Sequence, residues 1–147
     1  MSAPVPAAFQ GPAAFEGPVE DRLAIRERIE AYSDAVFRKD AEAWIAGWAE
    51  EAVWRLPGID VSGRANIRAA WEGAMSAFAV AAFFATPGSI RVEGDTATAR
   101  VYTQEILILK AGGVRRIVGA YDDALVKQDG VWRFARRSYT ILHDDKG

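Results

Sequence analysis

Any chemistry this chain performs must rest on Asp, Glu, Tyr, Ser, Arg or Lys, because the more reactive side chains are nearly absent. There is no cysteine, and the single histidine, His143, stands fifth from the C-terminal end. Disulfides, thiolate nucleophiles and sulfur-ligated metals are thereby excluded. One imidazole cannot supply a histidine-based zinc or iron centre, and a Ser-His-Asp triad is equally remote. Asp144 and Asp145 next to it read as a solvated acidic tail. The expectation is either chemistry by Asp, Glu, Tyr, Ser, Arg or Lys without a metal, or no chemistry at all.

Asp122 stands out among the acids. Alternate residues of the run 114–127 give one face of Val118, Ala120, Asp122, Ala124 and Val126, apolar except for a single carboxyl group. If that face lines an interior, burial there favours the neutral acid and lets it donate a proton. The alternatives are pairing with Arg100 or Arg137, or a register that takes it to solvent. Tyr32 falls on the apolar stripe of a helix, where its phenol can hydrogen-bond a carbonyl or oxyanion or simply satisfy itself in the core. Asp40 has the position of a helix N-cap, which competes with a role as base, and Asp34 is exposed by helical spacing. Arg100 and Tyr102 share a strand face able to bind an anion or to point to solvent. Trp44, Trp48, Trp54, Trp71, Phe78, Phe83, Phe84 and Tyr102 supply an aromatic set for packing or for a flat apolar ligand.

These residues must be positioned by a small number of elements. Residues 20–39 read as a helix with Leu23, Ile25, Ile29, Tyr32 and Val36 on its apolar side. Asp40 starts a short second helix with Trp44 and Trp48 four apart. EAVWRL (51–56) is a strand broken by Pro57-Gly58, and Ser62-Gly63 opens a third helix through Ile67, Trp71, Met75 and Phe78. The period then changes to two. Strand-like runs over 80–92, 96–109, 114–127 and 131–142, the last three set off by glycine turns, predict an antiparallel meander. Three helices followed by such a sheet give an α+β class, with the curved sheet wrapped around the long first helix as a cone with an internal pocket.

At 147 residues and 50% hydrophobic, the chain suffices for one domain, expected over 19–143. Residues 1–18 hold four of the six prolines and the near-repeat AAFQGP/AAFEGP, which reads as a flexible arm, with 144–147 as a polar tail. The 18 cations against 20 acids leave a net charge of −2, without the concentrated basic face that nucleic acid or a membrane surface requires. No secretory signal or membrane-spanning run is present, so a cytoplasmic location is expected.

The order of ERIEAYSDAVFRKD, AEAWIAGWAEEAVW, a Gly-Arg start to the third helix, GDTATARVY and GAYDDALVKQDGVWRF resembles the nuclear transport factor 2-like superfamily, in its SnoaL-like branch, over residues 20–142. The resemblance implies the cone fold and assembly as a homodimer or homotrimer through the convex sheet. Laid on ketosteroid isomerase, it puts Tyr32 on the oxyanion-binding tyrosine and Asp122 on the hydrogen-bond-donating acid, with the general base falling at Leu56. Laid on hexachlorocyclohexane dehydrochlorinase, it puts Asp40 on the catalytic aspartate and Trp54 on a pocket tryptophan, with the histidine base falling at Phe83. Scytalone dehydratase is similar in architecture, but its histidines have no counterpart. The resemblance thus implies a cofactor-free isomerase, dehydratase, other lyase or cyclase acting on a small hydrophobic, aromatic or polyketide-like molecule. Asp122, Tyr32 and Asp40 would be catalytic, and Trp54, Phe83, Trp48, Tyr102 and Arg100 would bind substrate. The competing expectation is a non-catalytic binding or accessory subunit, similar to a ring-hydroxylating dioxygenase β subunit, which the missing bases at Leu56 and Phe83 favour.

Overall fold

The computed structural model describes residues 9–147. Its elements are β1 (Phe15–Glu16), α1 (Val19–Arg38), α2 (Ala41–Ile45), β2 (Trp48–Leu56), β3 (Ile59–Ser62), α3 (Arg64–Met75), β4 (Phe78–Glu93), β5 (Thr96–Leu109), β6 (Val114–Gln128) and β7 (Val131–Asp145). One sheet takes in these strands in the order β1-β4-β5-β6-β7-β2-β3. The meander β4 to β7 is antiparallel, as the alternation and the glycine turns predict, whereas β1 joins β4 and β2 joins β7 in parallel. The architecture is the expected α+β arrangement of three helices and a large sheet.

Helix α1 packs Ile25, Ile29, Tyr32 and Val36 into the core. Their spacings of four, three and four residues keep them on one face. Leu23, assigned to the same stripe from sequence, is exposed instead, because two residues before Ile25 is about 200° away around the helix. Glu20 and Asp21 sit in the first turn, where the helix dipole favours acids. Asp21 also accepts from Trp132 Nε1 at 3.0 Å and Lys127 Nζ at 3.1 Å, and Arg28 Nε donates to the Trp132 carbonyl at 2.9 Å. These contacts fasten the helix to the β6–β7 hairpin and so fix where Tyr32 lies.

Several local expectations are corrected. Trp48 is not on the second helix, which ends at Ile45, but begins β2 and is fully buried. Pro57-Gly58 does not simply end a strand: Leu56 pairs with Ile59 across it, and Gly58 at φ 82° suits the second central position of a type II turn. The arm is not free over its described part. Phe9 is buried against Tyr102, and Phe15 and Glu16 align with Ile90 and Arg91 of β4. Residues 1–8 lie outside the described residues. The C-terminal acids are not a loose tail either, since β7 continues to Asp145.

The largest correction concerns β6. Both of its faces alternate apolar residues around one aspartate, and the inward face is the other one: Ile117, Tyr121, Asp123 and Leu125 are buried. Asp123 faces Arg137 across the β6–β7 ladder and accepts from its Nε at 2.8 Å and Nη2 at 3.0 Å, with both side chains fully buried. Asp122 lies on the outer face with its side chain 43% exposed and its nearest cation, Arg136, at 3.7 Å. The reason is pairing: a buried charge is tolerated only opposite a partner, and the inward arginine of β7 is at 137. Replacing Asp123 with Asn strands a buried guanidinium and is expected to destabilise the fold by about 3–5 kcal/mol. Asp122→Asn is expected to change it by less than about 1 kcal/mol. Urea unfolding of the two variants checks the assignment, and equal losses would refute it.

Candidate active site

Between α1, α3 and the concave face of the sheet lies a cavity of about 260 Å³. Its walls are mostly apolar, with Trp54 and Leu56 from β2, Trp71 and Met75 from α3, and Phe83 from β4 among them. The aromatic packing beneath is dense: Trp44 stacks on Trp71 at 4.6 Å between ring centroids, and Tyr32 meets Phe83 at 5.3 Å. Polar side chains break the apolar lining in two places.

The first place is a phenol pair at the floor. Trp54 Nε1 donates to the Tyr121 hydroxyl at 3.1 Å, and the Tyr121 and Tyr32 hydroxyls are 3.5 Å apart. One of the two phenols donates to the other, so the pair retains one proton for a ligand. Under the rings lies the buried guanidinium of Arg137, 3.8 Å from the Tyr121 centroid and 4.5 Å from that of Tyr32. Burial pushes the Tyr32 and Tyr121 phenols above their ordinary values, the Arg137 charge opposing it, and both stay protonated donors at neutral pH. Burial alone would pull Arg137 down, but Asp123 and the two phenols outweigh it and the guanidinium stays charged.

The second place is Glu105 on β5. Its carboxylate accepts from the Tyr139 hydroxyl at 2.6 Å, and that hydroxyl lies 3.1 Å from Thr103 Oγ1. Burial pushes the Glu105 carboxyl above the usual carboxylate range, while the Tyr139 bond and the Arg115 charge hold it back and Asp144 pushes the same way as burial. Tyr139 is itself raised by burial and then by the Glu105 charge. Its ring reaches Glu105 by lying across Gly119, where a Cβ would collide with the Tyr139 hydroxyl. Glycine at 119 is thus required by a close approach.

Of the residues expected from sequence, Tyr32, Trp54 and Phe83 line the cavity. Trp48 lies fully buried in the ring cluster rather than on the cavity wall, 6.0 Å from Trp54. Asp40 caps α2, accepting from the Ala43 amide at 3.0 Å and from Arg38 Nη1 at 2.8 Å. The Ala43 amide, then Arg38, lower its carboxyl below the usual range, and an acid so held is a weak base. Asp122 and Arg100 both border a polar depression of about 300 Å³ on the outer face beneath Gly11. Tyr102 is on that face too, against Phe9. Strand alternation sends 100 and 102 outward together once Val101 and Thr103 turn in.

Glu105, Tyr121, Tyr139 and Arg115 are the site residues that sequence reasoning missed. A signal for Glu105 exists: Ala97, Ala99, Val101, Thr103, Glu105 and Leu107 form an alternating face with one acid, the same pattern that singled out Asp122. Tyr121 lies one register step from the face chosen for β6. Among the described residues no cluster of three or more His, Asp or Glu could hold a metal ion, and no helix is long and apolar enough to cross a membrane.

Comparison with known proteins agrees with this geometry. The family model of the SnoaL-like domain matches residues 18–138. Among solved structures, the chain is similar to an inferred aromatic ring hydroxylase of Novosphingobium aromaticivorans, with 27% identity, a TM-score of 0.81 and coverage of 89% of this chain and 96% of that one. An inferred scytalone dehydratase of the same organism gives 22% identity and a TM-score of 0.82 over 88% and 89% of the two chains. Hexachlorocyclohexane dehydrochlorinase LinA-type3 of Novosphingobium barchaimii gives 16% and 0.74 over 86% and 90%. The last two likenesses establish the cone fold alone. No curated protein matches the sequence.

The raised Glu105 carboxyl makes a stability prediction. The folded state holds the neutral acid more tightly than the unfolded chain does, so this contribution is full below the ordinary carboxylate value and is lost as pH rises through the folded one. Glu105→Gln is expected to gain melting temperature relative to wild type at pH 8 and not at pH 4. A constant difference across that range would refute the desolvated carboxyl.

Proposed function

The chain belongs to the SnoaL-like family of the nuclear transport factor 2-like superfamily, and from that premise we propose that it is a cofactor-independent lyase or isomerase. Its substrate is a small hydrophobic molecule carrying an aromatic or alicyclic ring. The observation that carries this reading is the desolvated Glu105 carboxyl at 2.6 Å from Tyr139 in an otherwise aromatic cavity. A carboxylate with a raised value is a stronger base than one in water, and it works nearer its optimum at neutral pH.

Glu105 takes a proton from a carbon next to a carbonyl, and the C–H electron pair moves into an enolate. The enolate oxygen accepts the spare proton of the Tyr32–Tyr121 pair as a hydrogen bond, with Arg137 beneath the rings opposing its negative charge. In an isomerisation Glu105 returns the proton to a second carbon. In a dehydration the C–O bond of a β-hydroxyl breaks, and the protonated Glu105 gives its proton to the departing oxygen. Asp122 and Asp40 have no part in this scheme, because neither lines the cavity. The relatives whose bases would fall at Leu56 and Phe83 differ in where the base sits. Glu105 supplies one from another strand. Assembly as a homodimer or homotrimer remains part of the reading, supported by the exposed Val80, Phe84, Ile108 and Val118.

The test needs no known substrate. Incubation of 2-tetralone with the protein in D₂O, followed by NMR, reads proton exchange at the carbons beside the carbonyl. Wild type is expected to exchange faster than buffer, and Glu105→Gln to lose about 10²–10⁴-fold of that rate while still binding the ketone by tryptophan fluorescence. The rate is expected to rise with pH through the raised Glu105 value. That profile is shaped by Tyr139, Arg115 and Asp144 around the carboxyl, and by Tyr32 across the cavity. Binding without exchange would favour a second reading, a non-catalytic ligand-binding subunit. That alternative keeps the aromatic cavity as a binding site and is favoured by the absence of a base at Leu56 and Phe83.

A further inference from the structure

One charged group on the cavity wall is left unused by proton transfer at Glu105. Arg115, opposite Leu107 in the β5–β6 ladder, lines the cavity among apolar neighbours. Asp144 holds it along one edge, accepting from Nε at 2.9 Å and from Nη2 at 2.6 Å. That edge is not the whole fork. Among the described residues Nη1 makes no hydrogen bond, so its two N–H groups remain unpaired.

A backbone irregularity brings this pair to the cavity. Gly119 pairs with Ile141 but Val118 pairs with His143, so Leu142 is an extra residue in β7. Ile141 faces the cavity, and simple alternation from it would turn Asp144 outward. The extra residue resets the alternation, and Asp144 comes opposite the buried Ile117, on the side where it meets Arg115. Bulges of this kind commonly re-aim a side chain beside a site. The pair remains partly open to solvent, with the arginine side chain 34% exposed and the aspartate 21%.

We propose that Arg115 is a carboxylate subsite at the rim of the cavity, and that the ligand is therefore an amphiphilic organic acid. Its ring packs among Trp54, Phe83 and Leu107, and its carboxylate takes the free Nη1 side of the guanidinium. The cavity, at about 260 Å³, is near the lower end of the range for small-ligand sites, which suits a one- or two-ring acid. Asp144 fixes the plane of the fork, as the partner of a recognition arginine does, and leaves its second edge to the ligand. This proposal rests on the reading of the cavity as a small-molecule site and adds the charge of the molecule that enters it.

Calorimetric titration with 1-naphthoate and with methyl 1-naphthoate at pH 7.5 separates the two ideas. Wild type is expected to bind the acid at least tenfold tighter than the ester. Arg115→Gln should abolish that preference, and Arg115→Lys should keep only part of it. Equal affinity of wild type for acid and ester, or a preference surviving Arg115→Gln, overturns the subsite while the cavity reading stands. Failure of both ligands to bind overturns the cavity reading and the subsite with it.

Discussion

Everything in the concave face depends on the ion pair buried between β6 and β7. Two opposite charges taken fully out of water are costly, and only the bidentate geometry of Arg137 on Asp123 offsets that cost. A one-residue slip would bury Asp122 without its partner and turn Tyr121 and Ile117 to solvent, reversing every side chain of the strand. The pair therefore acts as a register lock. Its cation is also used a second time, because the guanidinium packs against Tyr32, Tyr121 and Phe134 at 3.8 to 4.5 Å. A charge buried for the fold becomes the electrostatic floor of the cavity.

Above that floor the polar groups occur at distinct heights. The phenol pair is lowest, pinned by Trp54; Glu105 and Tyr139 lie on the wall formed by β5 and β7; Arg115 and Asp144 stand at the rim. Each is held by a contact that also shapes the backbone. Gly119 leaves space for Tyr139, and the extra residue at Leu142 swings Asp144 inward. The apolar walls between them keep water from screening these charges, which is why burial raises the Glu105 carboxyl.

Much of the fold was legible. The 3.6 spacing of Ile25, Ile29, Tyr32 and Val36 and the glycine turns at 94, 112–113 and 130 gave the long helix and the meander within a few residues. Short-range signals such as Asp40 before Ala41 gave the cap. The parallel additions of β1 and β2 were not legible, since they join segments far apart in sequence and each leaves only a short run of residues. The site was read in part: Tyr32, Trp54 and Phe83 line the cavity, while Asp122, Arg100 and Tyr102 lie on the opposite face.

The sequence by itself determined which chemistries are excluded, by withholding cysteine and all but one histidine, and determined the class of fold through its periodicities. Which acid enters the cavity was decided only by tertiary structure. Alternation fixes that neighbours on a strand face opposite ways, yet it is silent on which way is inward when both faces carry apolar residues and an aspartate. That choice is made by partners on other strands: Arg137 selects Asp123 and excludes Asp122, and the closing of β5 over the cavity buries Glu105 beside a tyrosine 34 residues away. Burial and pairing are properties of two or more segments together, and they exist only once the chain has folded.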